Sequence, residues 1–358
     1  MDNETKSTLW PPPLVLDIFT GFQKSQALFV TTELQLYDLL AIHQNGMTAN
    51  EIASKKKLNL DATERILDYA TGLKLIKKDF KSESKTAIYS NYPEIAEVLQ
   101  SSKPNNMVAA IKYASRIQYP LYQHLITMIK SGKNTETYKK AFGFEVTTEI
   151  CEHLYEFDKD YSETFLQFMH QLSSITSPGV AKAFDLSPFC EICDLGGGSG
   201  ALAYALASEY PDATVTVFDL ATAVEAAQKI TPDKTERQKV KFVSGDFFQD
   251  EFPPASLYTF ARTIQDWPDE KVHQLLDKTF KSLESGGAIL IAELLMNETK
   301  TGPLYPLGAN VQMMIERSGR QRTETEYRLL LEKHGFVDFE CKFVEGYSSY
   351  HAIIAKKP

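Results

Sequence analysis

Cysteine is scarce: the chain has four among 358 residues, and they are scattered. Cys151, Cys190, Cys193 and Cys341 cannot frame a disulfide-stapled fold. The C-x-x-C of Cys190 and Cys193 has no second pair with which to complete a zinc site. All four are read as reduced thiols, with a redox pair at 190 and 193 as the lesser option. Basic charge is also short: 38 Lys and Arg stand against 47 Asp and Glu, a formal net charge of -9. That sign gives the chain no electrostatic reason to hold nucleic acid or an anionic membrane. No apolar run approaches the ~18 residues that suggest a membrane span. The leading "MDNETKSTLW" is polar and acidic, without the apolar centre of a signal peptide. Internal repeats and low-complexity tracts are missing too. These absences predict a cytoplasmic protein with no nucleic-acid or membrane partner. What is present is 43% apolar residues, enough for a sizeable core, in a length that predicts two domains.

The first hundred residues read as short helices. In "MTANEIASKK" Thr48 is placed to cap a helix, and Asp61 is placed to cap "ATERILDYATGLKL". "LIKKDF" and "AIYSNY" then read as two short strands around a polar tip, which completes a winged-helix pattern. Such modules often read DNA. Here the second helix carries Asp61, Glu64 and Asp68 against one basic residue, Arg65, so dimerisation is the favoured role. Residues 106–180 read as further helices rich in aromatics, with Pro178 and Gly179 marking a break. From residue 190 strands and helices alternate, which predicts a doubly wound α/β domain on a parallel sheet. The tail adds one helix and two strands. The expected domains are 1–105, 106–180 and 181–358.

The chemistry sits in that last segment. "DLGGGSGALA" places Asp194 at a strand end, with Gly196, Gly197, Gly198 and Gly200 before a helix. Glycines let a backbone turn tightly and approach a ligand. Asp219 closes the next strand, where a carboxylate can accept ribose hydroxyls. Asp246 follows the third strand beside Phe247 and Phe248, suited to an adenine. A dinucleotide loop has no need of an acid at its start, whereas a cationic ligand does. The pattern therefore predicts S-adenosyl-L-methionine as cofactor.

The motifs "CDLGGGSGALA", "VFDL", "GDFF", "ARTIQDW", "SGGAILIAELL" and "GRQRT" together resemble the class I small-molecule O-methyltransferases. "FDLSPFCEICDLGGGSGALA" and "RTETEYRLLLEKHGFVDFECK" are similar to the acetylserotonin O-methyltransferase branch. The resemblance covers nearly the whole chain. It implies an N-terminal, mainly α winged-helix dimerisation domain ahead of a Rossmann-like α/β methyltransferase domain, a homodimer, and a small-molecule substrate. It implies cofactor contacts at Tyr155, Asp194, Gly196, Gly198, Asp219, Leu220, Gly245, Asp246, Phe247, Phe248 and Arg262. Substrate contacts fall on Asp266, Gln312, Met313 and Glu316, with Met314 beside Met313 as a second ring clamp. Asp266 has an alternative as the cap of the following helix. The segments "LQFMHQL" and "NVQMMIE", with helices of a partner copy, would line the cleft.

Four positions carry the catalytic expectation: Gln265, Asp266, Glu293 and Gln321. Where the family reads His-Asp-Trp, this chain reads Gln265-Asp266-Trp267, and where it reads Gly-x-Glu-Arg-Thr, this chain has "GRQRT" with Gln321. Glu293 keeps the second supporting acid. A carboxamide cannot take a proton at any working pH, and a positioned base is worth ~10²–10⁴-fold. Four readings follow. The acceptor could be a nitrogen, sulfur or acidic oxygen nucleophile. Asp266 or Glu316 could replace the base on a hydroxyindole, with His153 or His170 as a displaced one. The cofactor could serve other chemistry, or the chain could be a silent binding paralogue. The altered acceptor is favoured.

Overall fold

The structure is a computed structural model that describes residues 12–80, 86–104, 106–143, 159–230, 239–344 and 349–358, with the backbone alone for 159–163. The chain divides into two compact units, Met1–Ser115 and Arg116–Pro358.

The first unit is mainly helical. Thr48 opens the helix Ala49–Lys56 with a capping box: its hydroxyl accepts the Glu51 N–H at 3.2 Å, and the Glu51 carboxylate accepts the Thr48 N–H at 2.7 Å. The next helix, Leu60–Gly72, is capped by Asn59 rather than Asp61. Asn59 Oδ1 accepts the Ala62 N–H at 3.0 Å, so the helix starts earlier than expected. Asp61 then lies in the first turn, where it still favours the positive end of the helix. Antiparallel strands β1 (Lys77–Phe80) and β2 (Ala87–Ser90) follow, giving the winged-helix order. Asp68 ties this wing to the second helix, accepting from Lys78 Nζ and from the Tyr89 hydroxyl, each at 2.6 Å. The helix Pro13–Phe19 buries none of its residues: Leu14, Ile18 and Phe19 are 70%, 71% and 70% exposed.

The second unit is built on one sheet. β3 (Glu191–Leu195), β4 (Thr214–Asp219), β5 (Val240–Ser244), β6 (Leu257–Ala261) and β7 (Ala288–Met296) run parallel in the order β5-β4-β3-β6-β7. Two-residue β8 (Arg322–Thr323) pairs beside β7, while β9 (Val337–Phe343) and β10 (Tyr350–Lys356) extend the main path. These last two, the pair of strands expected in the tail, are antiparallel, β10 to β7 and β9 to β10. The segment from Phe343 to Tyr350 is shorter than the dozen or so residues a parallel crossover requires. Alternate side chains feed two core layers, Val215, Val217 and Leu290 on one face and Phe218, Phe260 and Ile291 on the other. β7 is buried at every position, as a central strand must be when both faces are covered.

The helix Lys159–Lys182 runs through Pro178 and Gly179, where a break was expected. Proline removes one N–H from the helix. Hydroxyls brace the turn before it: Ser177 Oγ donates to the Ser173 carbonyl at 2.6 Å, and Thr176 Oγ1 donates to the same oxygen at 3.3 Å. Among the described residues no helix is long and apolar enough to cross a membrane.

A second capping box opens the helix Glu324–Lys333, where Thr323 accepts the Glu326 N–H at 3.2 Å. Thr323→Ala is expected to cost about 0.5–2 kcal/mol of stability. Chemical denaturation would show this as a lower midpoint at unchanged slope.

Candidate functional site

The C-terminal ends of the parallel strands gather the acids predicted from sequence. Asp194, near the end of β3, is 1% exposed. Its Oδ1 accepts from Thr259 Oγ1 at 2.6 Å, while Oδ2 has no hydrogen-bond partner among the described residues. Burial pushes the Asp194 carboxyl up to about 7, opposed by the Thr259 hydrogen bond and reinforced by the charge of Asp219. A Cβ at Gly197 would stand 2.5 Å from Asp194 Oδ2, so only glycine leaves that oxygen its place. Asp219, ending β4, is pinned from both sides. Its Oδ2 accepts the Gly198 N–H and its Oδ1 the Leu220 N–H, both at 2.7 Å. Asp246 accepts the Phe248 N–H at 2.8 Å. Phe247, Phe248 and Trp267 meet edge to face, with ring centroids 4.7 to 5.8 Å apart.

Arg262 follows β6 in the left-handed backbone region, with φ +57°. Its N–H donates to the Ala292 carbonyl at 3.0 Å, and its guanidinium lies 4.4 Å from the Tyr350 ring centroid. The side chain is buried, yet Nε and Nη2 have no acceptor among the described residues. A cleft with about 1150 Å³ of empty space brings these groups together. Asp194, Gly196, Gly198, Asp219, Leu220, Gly245, Asp246, Phe247, Phe248 and Arg262 all line it. Tyr155 lies outside the described residues.

A second cavity, with about 560 Å³ of empty space, adjoins the first. Gln265, Gln312, Met313, Glu316 and Gln321 line it, against apolar walls from Phe165, Phe168, Met169 and Leu172. Phe165, Met169, Arg262, Asp266 and Arg317 line both spaces. Met314 does not join Met313. One residue further round the helix Leu304–Glu316, it lines a separate depression with Met128 and Arg320. Asp266 closes a 3₁₀ turn, Ile264–Asp266, and is no helix cap: Pro268 precedes the helix Asp269–Ser282, with no side-chain cap. Burial raises the Asp266 carboxyl, while Arg317, 3.8 Å away, the Gln265 amide and Arg262 oppose that rise.

Behind this turn stands Glu293, fully buried in the middle of β7. It accepts the Gln265 N–H at 2.9 Å and the Tyr327 hydroxyl. It lines neither space. Gln265 Oε1 accepts from Gln321 Nε2 at 2.7 Å. Gly319 lets the two segments meet, since a Cβ there would fall 2.0 Å from the Gln265 carbonyl oxygen. The described histidines stand elsewhere. His170 Nδ1 and Ser199 Oγ are 2.9 Å apart, His273 pairs with His334 at 2.7 Å, and His351 Nδ1 lies 3.2 Å from the Ser349 carbonyl. None of these lines either space, and His153 lies outside the described residues. Cys190 is exposed and Cys193 is buried in β3, both as free thiols. Thr259, Tyr350, Arg317 and Phe165 carry no motif that would have marked them, and Tyr327, within the stretch "RTETEYRLLLEKHGFVDFECK", is given no role there. Each meets the site through packing that joins distant segments.

Glu293 has its carboxyl raised to about 7, chiefly by burial. In an unfolded chain an ordinary glutamate titrates near ~4.3. The folded state therefore binds more protons between these values, and stability must fall as pH rises through that window. Glu293→Gln is expected to flatten this dependence, measured by denaturant titrations from about pH 4.5 to 8.

A family model of the O-methyltransferase domain matches residues 122–337, and one of the O-methyltransferase dimerisation domain matches residues 16–101. Bovine acetylserotonin O-methyltransferase is 35% identical over 344 residues, 96% of this chain and 97% of that protein. A human probable bifunctional dTTP/UTP pyrophosphatase/methyltransferase protein is 33% identical over 99% of this chain and 55% of its own length. The crystal structure of human N-acetylserotonin methyltransferase in complex with S-adenosylmethionine has a TM-score of 0.90 and 33% identity, covering 100% of this chain and 99% of that one. With the domain model matching more than half of its residues, and enzyme relatives alike along nearly its full length, this chain belongs to the S-adenosylmethionine-dependent O-methyltransferase family.

Proposed function

We propose that the chain methylates a small, flat aromatic or heteroaromatic acceptor through a nitrogen, sulfur or acidic oxygen that needs no histidine base. The observation that carries this reading is Gln265. It lines the smaller space, its N–H is held by the buried Glu293, its oxygen already accepts from Gln321, and it cannot take a proton. S-adenosylmethionine supplies an electrophilic methyl group on a sulfonium. The larger cleft suits it on chemical grounds. The bare Asp194 Oδ2 offers charge to a cation, and the bare Arg262 Nε and Nη2 seek a carboxylate or another acceptor. Asp219 would take the ribose hydroxyls, and Asp246 with Phe247 and Phe248 the adenine. Acceptor contacts would come from Asp266, Gln312, Met313 and Glu316. Proximity and orientation would then supply most of the rate.

A second reading keeps a hydroxyindole acceptor and makes Asp266 the base. One observation favours it. Of the five residues lining both spaces, Asp266 alone can accept a proton, and its carboxyl is raised. The exposed apolar face of Pro13–Phe19 and the dimerisation-domain match support a homodimer assembled through the first unit.

Two measurements test the proposal. A cation beside Asp194 favours its ionised form, so binding below about pH 7 must release a proton. Calorimetric affinity for S-adenosylmethionine is expected to rise from about pH 5 to about 7 and then level off, with Asp194→Asn removing the slope. Absence of binding at millimolar ligand would overturn the enzyme reading. A methyl-transfer screen over hydroxyindoles, catechols, amines and thiols separates the acceptors. The double variant Gln265→His/Gln321→Glu is expected to gain up to about 10²–10⁴-fold on hydroxyindoles. Ordinary wild-type turnover of N-acetylserotonin, lost in Asp266→Asn, would favour the second reading.

A further inference from the structure

The Gln265–Gln321 pair leaves one polar atom unaccounted for. Gln321 lines the smaller cavity and is 1% exposed. Its Nε2 is spent on Gln265 Oε1 at 2.7 Å, and its backbone N–H on Asn310 Oδ1 at 2.9 Å. Its own Oε1 is buried and has no hydrogen-bond donor among the described residues. Buried amide oxygens are rarely left bare, because the loss of water goes uncompensated. Gln321 has little freedom to turn away. Gln265 is fixed at its backbone by Glu293 and at its side chain by Gln321, and Gly319 presses the two segments together. Gln321 shares the lining of the smaller cavity with side chains that suit a flat ring: Phe165, Phe168, Met169 and Met313.

We propose that Gln321 Oε1 receives an N–H or O–H donor from the edge of the acceptor, which makes the amide pair a specificity element. The acceptor class this selects is a heteroaromatic ring bearing such an edge donor, of the lactam or ring N–H type. A hydrogen-bonding site of this kind discriminates by rejection, since a ligand without the donor leaves the buried oxygen unpaired. The inference rests on reading the smaller cavity as the acceptor site.

The test uses full-length protein saturated with S-adenosylhomocysteine and titrated with 2-quinolone or N-methyl-2-quinolone. The two probes differ in the one N–H. 2-Quinolone is expected to bind at least about tenfold more tightly. Gln321→Met should erase that preference, and Gln321→Glu, which keeps an accepting oxygen, should retain it. Equal affinity of the two probes, binding of neither, or a preference that survives in Gln321→Met would each overturn the proposal. S-adenosylhomocysteine affinity is measured separately on every protein. Its loss in the wild type would sink the methyltransferase reading itself, whereas its presence with failed probes sinks only this inference. If Gln321→Met does not bind S-adenosylhomocysteine, the wild-type pair of titrations together with Gln321→Glu decides.

Discussion

A single buried carboxylate, Glu293, holds the turn after β6 in place. It sits in a strand with no exposed residue and receives donors from two other segments, the backbone of Gln265 and the hydroxyl of Tyr327. A charge in that position would be expensive, and burial answers by raising its carboxyl to about 7. The turn Ile264–Asp266 is thereby anchored by its main chain rather than by a side chain that reacts. Close contact with Gly319 fixes its other side. Asp266, Trp267 and Gln265 owe their positions to this anchor.

The two adjoining spaces differ in chemistry. The larger is acidic and aromatic, with its carboxylates immobilised by backbone N–H groups and by Thr259. Such groups need little rearrangement to meet a ligand, which is the economy of preorganised sites. The smaller is lined by apolar side chains together with the amides of Gln265, Gln312 and Gln321. Asp266, Arg317 and Arg262 line both spaces, so opposite charges are shared between them.

Much of this was legible in the sequence because it is local. The glycine loop, Asp219 at a strand end, the Thr48 cap and the paired strands of the wing depend on residues within a few positions of one another. The departures arise where distant packing or fine geometry decides. Asn59 takes the cap that Asp61 was expected to hold, one turn position being enough to choose between them. Pro178 stays helical because neighbouring hydroxyls brace the turn. Within the site, Thr259 against Asp194 and Tyr327 against Glu293 are separated by 65 and 34 positions, and no local pattern announces either. Met313 and Met314 look equivalent in sequence and face different spaces.

The amide pair also bears on how such a site can change. Gln265 and Gln321 satisfy one another as neutral partners inside a buried space. Any route between this pair and an acid–base pair at the same positions passes through a mixed state. A lone carboxylate at 321 would be buried opposite an amide, and a lone imidazole at 265 would lack an acid to orient it. A change at either position leaves the other amide buried without its partner, so its cost falls on stability before it reaches any chemistry.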